Sequence, residues 1–308
     1  MYKILVLLIV MFAILFVWFD YTSKTVGFLY NPSTNAAEYL TYENKGVYFI
    51  ASNIESDLEK FFRFLSNRGV RFVIGPSMSV DGNKVLPFLE KYNLISLSPT
   101  ISSTRLIKSG YIYSFIPSNE TIVAAFREYL KKTGCKNLLL VLDGSNREYS
   151  DDFKSLLDDF SGDFVYYTDS SSIRGISAEN YDTAILTTMD KDSFEIVRLL
   201  KTANEKIRVV GTEASFSKVF LTLGGRFVEG TYFLVSKIFT SQGTELELID
   251  NWVEFIQQHR FLSTQQFRRF INTHVLKIKD RYVYFTPSGV NTEMKVYVVE
   301  EGKFKEVQ

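Results

Sequence analysis

The sequence predicts an α/β protein with two lobes of similar make, each a parallel sheet flanked by helices, behind an N-terminal transmembrane helix. Three observations carry this expectation. Ile4–Phe19 is an unbroken apolar run. From Thr25 onward, short strand-like runs alternate with segments of helical period, the pattern of a parallel sheet with helices on its faces. The same rhythm restarts after Ile116, and 308 residues suffice for two cores.

The apolar run ILVLLIVMFAILFVWF, residues 4–19, lies near the lower limit of a bilayer span, roughly 17–25 residues. The flank VWFDYTSK offers no small-x-small cleavage site, and no cysteine follows that a lipid could modify. Residues 1–23 therefore read as a membrane anchor, with a cleaved signal segment as the alternative; Lys3 would stay cytoplasmic and the rest would lie outside.

TVGFLY (25–30) is a buried strand, Asn31–Lys45 a loop or short helix, and GVYFIASN (46–53) a second strand. Ser56 and Glu59 have the spacing of a capping box, followed by Leu58, Phe61, Phe62 and Leu65 at helical period, with Gly69 ending the helix. VRFVIGP is a strand, Val85–Tyr92 a helix and LISLS a strand. After Ile116, Ser118 is placed to cap a helix over Glu120–Lys132, and NLLLVLD is a strand. A helix over Asp151–Phe160, the strands DFVYYTD and TAILTTM, a helix over Asp192–Ala203, and the strands IRVVGT and VEGTYFLV follow. Helices are expected over Thr244–Gln258 and Ser263–Lys277, the second opening with a Ser-x-x-Gln box. The C-terminal stretch is β-rich, with turns at Pro287–Gly289 and Glu301–Gly302.

Composition excludes several function classes. Lys plus Arg and Asp plus Glu are 35 each, so nothing drives the chain toward nucleic acid. Cys135 is the only cysteine, which rules out an intrachain disulfide and a cysteine-based zinc site; it reads as a small buried residue. His259 and His274 have no metal-pair spacing and no adjacent nucleophile, so both read as packing or surface histidines. No G-x-S-x-G, Walker A or G-x-G-x-x-G pattern occurs. The pairs Asp151–Asp152 and Asp158–Asp159 read as solvated helix-face charges. No catalytic residue, metal ligand or cofactor is expected.

In open parallel sheets, ligands bind beyond the carboxyl ends of the strands. Those ends carry Ser77 and Ser79, then Thr100, Ser102, Ser103 and Thr104 in the first half. In the second half they carry Ser145, Asn146 and Tyr149, then Thr187 and Thr188, then Glu213. Hydroxyls beside helix N-termini suit an anion, while an aromatic ring with a carboxylate suits an ammonium group. Together they suit a zwitterion held between two lobes.

The succession VIGPSMS, LISLSPTISSTRL, YIYSFIPSNETIVAAFREYLKKTGCKNLLLVLDGSNREYSDDF, VVGTEASFS, VEGTYFLV and YFTPSGVNTEMKVYVVEEGKF resembles the type I periplasmic-binding-protein family. The nearest branch is the receptors for branched-chain amino acids and amides that feed ABC transporters. The resemblance implies that Ser79 and Ser102 hold a ligand carboxylate, with Thr100 beside them. It implies that Tyr149 packs on the ligand and that Glu213 takes its ammonium group. It further implies lobe 1 over residues 24–117 and 242–280, lobe 2 over 118–241 and 281–308, and crossings near 116–118, 235–242 and 277–282. The partners implied are a small amino-acid-like solute, an ABC permease or a sensor, and the membrane through residues 4–19. Three departures stand out: Ser150 replaces a glycine, Leu186–Thr188 replaces an aromatic, and Asn31–Lys45 is short for the family's first helix. They motivate a second reading, a degenerate binding-protein-like domain that has lost its ligand and serves as a protein-interaction or structural module.

Overall fold

The computed structural model describes residues 2–33, 46–238, 245–278 and 281–307. Helix α1 (Tyr2–Lys24) runs without a break into strand β1 (Thr25–Tyr30). By length and composition Ile4–Lys24 can cross a membrane, and its apolar residues Ile4–Phe19 are exposed. The helix thus extends one turn beyond the apolar run. In these last turns the hydroxyls of Thr22, Ser23 and Thr25 donate to the carbonyls of Phe19, Asp20 and Tyr21.

Lobe 1 is a five-stranded parallel sheet in the order β2-β1-β3-β4-β5. Its elements are β2 (Tyr48–Asn53), α2 (Leu58–Asn67), β3 (Phe72–Ile74), α3 (Ser79–Tyr92), β4 (Ile95–Ser98), α4 (Thr104–Lys108) and β5 (Ile112–Ser114). Asp57, not Ser56, caps α2, its carboxylate accepting from Lys60 N at 2.9 Å. Ser56 already belongs to the preceding turn, where its hydroxyl meets Ser52 and the Asn53 carbonyl. Glu59 reaches forward to Lys91 and Tyr92 of α3 instead of back to the cap. Helix α3 starts six residues before the expected Val85, at Ser79, with its polar Asp81 buried and bound by Lys84 and Asn31. Residues 34–45, most of the expected loop or short helix, lie outside the described residues.

Lobe 2 is a seven-stranded sheet in the order β15-β14-β10-β9-β8-β6-β7. It contains α5 (Asn119–Thr133), β6 (Leu138–Asp143), α6 (Arg147–Leu156), β7 (Gly162–Tyr167), β8 (Thr183–Leu186), α7 (Asp190–Ala203), β9 (Arg208–Gly211) and β10 (Tyr232–Ser236). Ser118 occupies the cap position of α5 but makes no capping bond; its hydroxyl lies 3.4 Å from that of Thr121. Helix α6 begins four residues before the expected Asp151. Strands β6 to β10 are parallel, as buried apolar runs such as LLLVL require.

The chain then returns to lobe 1. Helices α8 (Glu245–His259) and α9 (Thr264–Ile271) cover the sheet face opposite α2 and α3. The Ser263–Gln266 capping box opens α9 as expected. That helix stops at Ile271, however, and Val275–Ile278 is strand β11, not a helix through Lys277. Its sequence VLKI pairs antiparallel with β12 (Arg281–Thr286), which pairs with β13 (Gly289–Asn291), so sheet pairing overrides the helical period. The histidines at 259 and 274 stack on Phe270 at 4.5 and 4.1 Å, as packing residues. Phe285 of β12 packs within about 6 Å of Phe115 and Trp252, where the lobes meet. Strands β14 (Met294–Glu300) and β15 (Lys303–Glu306) close lobe 2 through the expected turn, Glu301 and Gly302 both having positive φ.

Candidate functional site

The loops after β3 and β4 are joined hydroxyl by hydroxyl. Ser96 donates to the Gly75 carbonyl at 2.8 Å, Ser98 to Pro76 at 2.7 Å and Thr100 to Ser77 at 2.9 Å. Trp252 adds a bond from its indole nitrogen to the Ser98 carbonyl at 2.8 Å. Gly75 lies at φ +84°, and a Cβ there would collide with the Leu29 carbonyl oxygen. This stitching uses the donors of Ser96, Ser98 and Thr100 and fixes where the next residues sit.

Two hydroxyls escape it. Ser79 opens α3; its oxygen accepts from Ser103 N at 3.3 Å, and its proton goes to no protein atom among the described residues. Ser102 is buried, and among the described residues its hydroxyl makes no protein hydrogen bond. Met78 at the α3 cap supplies no side-chain acceptor either. At this corner two hydroxyl protons therefore lack a protein acceptor among the described residues, beside a helix start whose Val80 N–H is taken by Asn146.

Lobe 2 supplies the opposite polarity. Asp143, at the end of β6, accepts from Ser145 N at 2.7 Å, from the Ser145 hydroxyl at 2.6 Å and from Asn146 N at 3.3 Å, which orders the loop into α6. In the first turn of α6, Tyr149 packs edge-on against Phe153 and is 5 % exposed. Its hydroxyl is buried without a hydrogen-bond partner. Desolvation, then the charges of Glu213 and Asp143, hold its pKa well above the ordinary phenol value; the neighbouring Thr212 hydroxyl acts in the opposite sense without reaching hydrogen-bonding geometry. Glu213 follows β9 in a single 3-10 turn. Both its carboxylate oxygens are buried and unpartnered. Burial pushes its pKa up to about 7, opposed only by its own backbone N–H.

The two sides are connected through Asn119. Its backbone N donates to the Ser102 carbonyl at 2.7 Å, and its amide donates to the Tyr149 carbonyl at 3.2 Å and to Asp152 at 3.1 Å. The lobes also meet directly: Val80 N donates to Asn146 at 3.0 Å, Thr104 N to Asp152 at 2.8 Å, and the Ser103 hydroxyl to Glu148 at 3.1 Å, with Arg105 paired to Glu148 at 3.0 Å. The structure therefore places Ser79, Ser102, Tyr149 and Glu213 at the facing strand ends of two lobes in contact. Thr100 lies beside them with its hydroxyl engaged. Ser77 donates to Glu245, turned toward α8.

Sequence reasoning placed Asn146 at a strand end without a role, and missed Asn119 and Asp152. Asp152 reads as a solvated helix charge, yet it is half-buried and caps the start of α4 from the other lobe. No local pattern marks such a cross-lobe contact. The departures acquire physical roles. The Ser150 hydroxyl bonds the Asp143 carbonyl at 3.1 Å and lies 3.0 Å from that of Thr187, tying α6 to β6 and β8. Thr188 bonds Ser193. Both threonine hydroxyls are thus engaged within lobe 2. Among the described residues no group of histidine, cysteine and carboxylate side chains could hold a metal ion.

A family model described as periplasmic binding protein matches residues 50–266. No curated protein matches the sequence. Among solved structures, a leucine-binding protein from Thermotoga maritima is similar with a TM-score of 0.71 at 12% identity, over 92% of this chain and 97% of that one. A branched-chain amino acid transporter substrate-binding protein from Streptococcus pneumoniae, in complex with isoleucine, has a TM-score of 0.71 at 13% identity over 92% and 99%. An extracellular ligand-binding receptor from Rhodopseudomonas palustris has 0.70 at 13% over the same shares. At these identities the likeness to solved structures is one of fold.

Proposed function

The chain belongs to the periplasmic binding protein family, and from that premise we propose that it is an extracytoplasmic receptor for a small amino-acid-like solute. The observation that carries this reading is Glu213: a carboxylate with both oxygens buried and unpartnered, beside an equally unpartnered Tyr149 hydroxyl. A buried unpaired carboxylate is costly, and a ligand ammonium group relieves that cost. Ser79 and Ser102, with Thr100 beside them, would take the ligand's carboxylate, and Tyr149 would pack on its body. Leucine and isoleucine, named for two of the similar structures, set the ligand class to screen first.

In this reading the lobes, 24–117 with 242–280 and 118–241 with 281–308, hinge about crossings near 116–118, 235–242 and 277–282. Ligand favours the closed arrangement, and a permease or sensor in the membrane reads it. Helix α1 anchors the receptor. The second reading, a protein-interaction module without ligand, draws on Thr187 and Thr188, whose hydroxyls are engaged internally where the family resemblance places an aromatic ring. A thermal-shift panel of amino acids, their amides and short carboxylic acids separates the two. A ligand at about 100 times its Kd stabilises by about 2.7 kcal/mol, and the absence of any shift across the panel supports the module instead.

A further inference from the structure

The junction between α1 and lobe 1 is a built surface with no slack in it. Helix α1 passes into β1 with no linker residue between them. Asp20, one turn before the helix end, is bound by Lys24 at 2.7 Å and by Arg260 at 3.0 Å. Arg260 belongs to the loop between α8 and α9. That loop is itself held to the sheet by Arg71, which donates to the carbonyls of Leu262 at 2.9 Å and Arg260 at 2.5 Å. Phe19 stacks on Phe261 at 5.8 Å, and Tyr21 packs on Tyr48 at 5.0 Å. The helix direction is thereby fixed to lobe 1 by both charge and ring contacts.

Yet the same rings remain open to the surroundings. Phe261 is 56 % exposed, Tyr21 49 %, and Phe19 and Tyr48 47 % each, with Trp18 at 57 % completing the collar. Arg260 lies over the Phe261 ring at 4.7 Å. An aromatic collar with basic side chains at the end of an apolar helix has the composition of a membrane interface, where ring bodies enter the headgroup region and cations reach phosphates. Thr25, Tyr48 and Phe72 begin neighbouring parallel strands, so the collar lies at the amino-terminal rim of the lobe 1 sheet. The candidate site lies at the opposite, carboxyl rim.

We infer that the rim of lobe 1 formed by Phe19, Tyr21, Tyr48, Arg260 and Phe261 rests on the outer surface of the lipid bilayer, seating lobe 1 upright. The inference rests on the reading that α1 stays in the membrane. The occupant is the lipid interface because the collar is continuous with the membrane-crossing helix. Its geometric consequence is that the candidate site stands about 20 Å above the rim, the length of a six-residue strand, with lobe 2 outermost. Closure then moves lobe 2 against a lobe 1 that the membrane holds.

The test uses the full chain with Cys135→Ser and one labelled cysteine at a time, in vesicles whose phospholipid chains carry bromine at both a shallow position near the carbonyl and a deep one near the chain end. The positions are Phe12→Cys in the helix, Phe261→Cys on the rim and Val307→Cys on lobe 2. All three native side chains are exposed, so the substitutions spare the core. The expected result is strong quenching of labels 12 and 261 and none of label 307. Quenching at 12 without quenching at 261 overturns the seating while α1 remains a membrane span, as it would if a protein partner or a second copy covered the rim. Quenching at neither position overturns the membrane reading and the seating with it. Quenching at 307 equal to that at 261 overturns the upright orientation.

Discussion

Replacing Glu213 by glutamine should stabilise the protein while abolishing its proposed activity. The carboxylate has an ordinary pKa of 4.5, and burial pushes it up to about 7 in the folded chain. Folding therefore favours the protonated form. The penalty is absent well below the unfolded value, grows as pH rises from 4.5 to 7, and is constant above. The interval corresponds to about 3 kcal/mol at pH 8 and less than about 1 kcal/mol at pH 5. Glutamine keeps the shape and carries no charge, so Glu213→Gln should recover most of this at pH 8. With an unfolding entropy of roughly 2.1 cal/mol/K per residue over both lobes, the gain is about 5 °C in Tm, and about twice that if lobe 2 unfolds alone. The assay is thermal unfolding of both proteins without ligand at the two pH values, followed by the same measurement with the best solute from the panel. Expected are a higher Tm for the variant at pH 8, a much smaller gain at pH 5, and loss of the ligand-induced shift. An equal Tm at pH 8 would refute the reasoning, because a carboxylate that costs nothing is solvated or already paired. Such an exchange of stability for function is usual where a site keeps an unsatisfied charge for its ligand.

The remaining predictions concern the supports of the site. Asp152→Ala removes the cross-lobe bond from Thr104 N and, within lobe 2, the bond from Asn119; losing a helix cap costs about 1–2 kcal/mol, so ligand Kd should rise about 5–30-fold, and an unchanged Kd would show that closure does not use this contact. Trp252→Phe loses the bond to the Ser98 carbonyl and shrinks the ring stacked at 4.0 Å on Phe115; denaturant unfolding should show a loss of about 2–3 kcal/mol, and a loss below about 0.5 kcal/mol would mean that α8 does not brace the loop after β4. Gly75→Ala places a side chain at φ +84° against the Leu29 carbonyl; a stability loss of more than about 2 kcal/mol is expected from thermal unfolding, and a neutral result would show that this loop can move away from β1.

What was legible in the sequence followed burial. Runs such as LLLVL and VRFVI have one physical use, strands covered on both faces, and their alternation with helical segments announced two parallel sheets. Elements whose form depends on distant partners were not legible. Strand β5 is three residues long, and its placement comes from pairing with Ser96–Ser98. Strand β11 follows a helix without a breaker and is a strand because β12 pairs with it. The strand-end rule located the candidate residues, because sheet direction alone decides which loops face the other lobe. It did not separate the hydroxyls that stitch loops together from those with a free proton, since Ser96, Ser98, Thr100 and Ser102 differ only in which carbonyl lies within reach.

The misplaced helix starts share one cause, and it bears on function. Helices α3, α6 and α7 begin six, four and two residues before their apolar periodicity does, at Ser79, Arg147 and Asp190. A helical turn that faces a core must be apolar on that face; a polar first turn of a helix after a parallel strand faces the far lobe or solvent. In α3 and α6 these turns carry Ser79, Val80 N, Glu148 and Tyr149, the groups that meet across the lobes or remain without a partner. Polarity that hides a helix start from periodicity is therefore what a turn facing the other lobe requires, and local pattern fails where the chain serves a contact it cannot make alone. The same logic separates Asp152 from Asp159. Both look like solvated acids, but Asp152 lies on the turn that reaches α4, whereas Asp159 lies beyond the end of α6 and pairs with Arg127 at the surface.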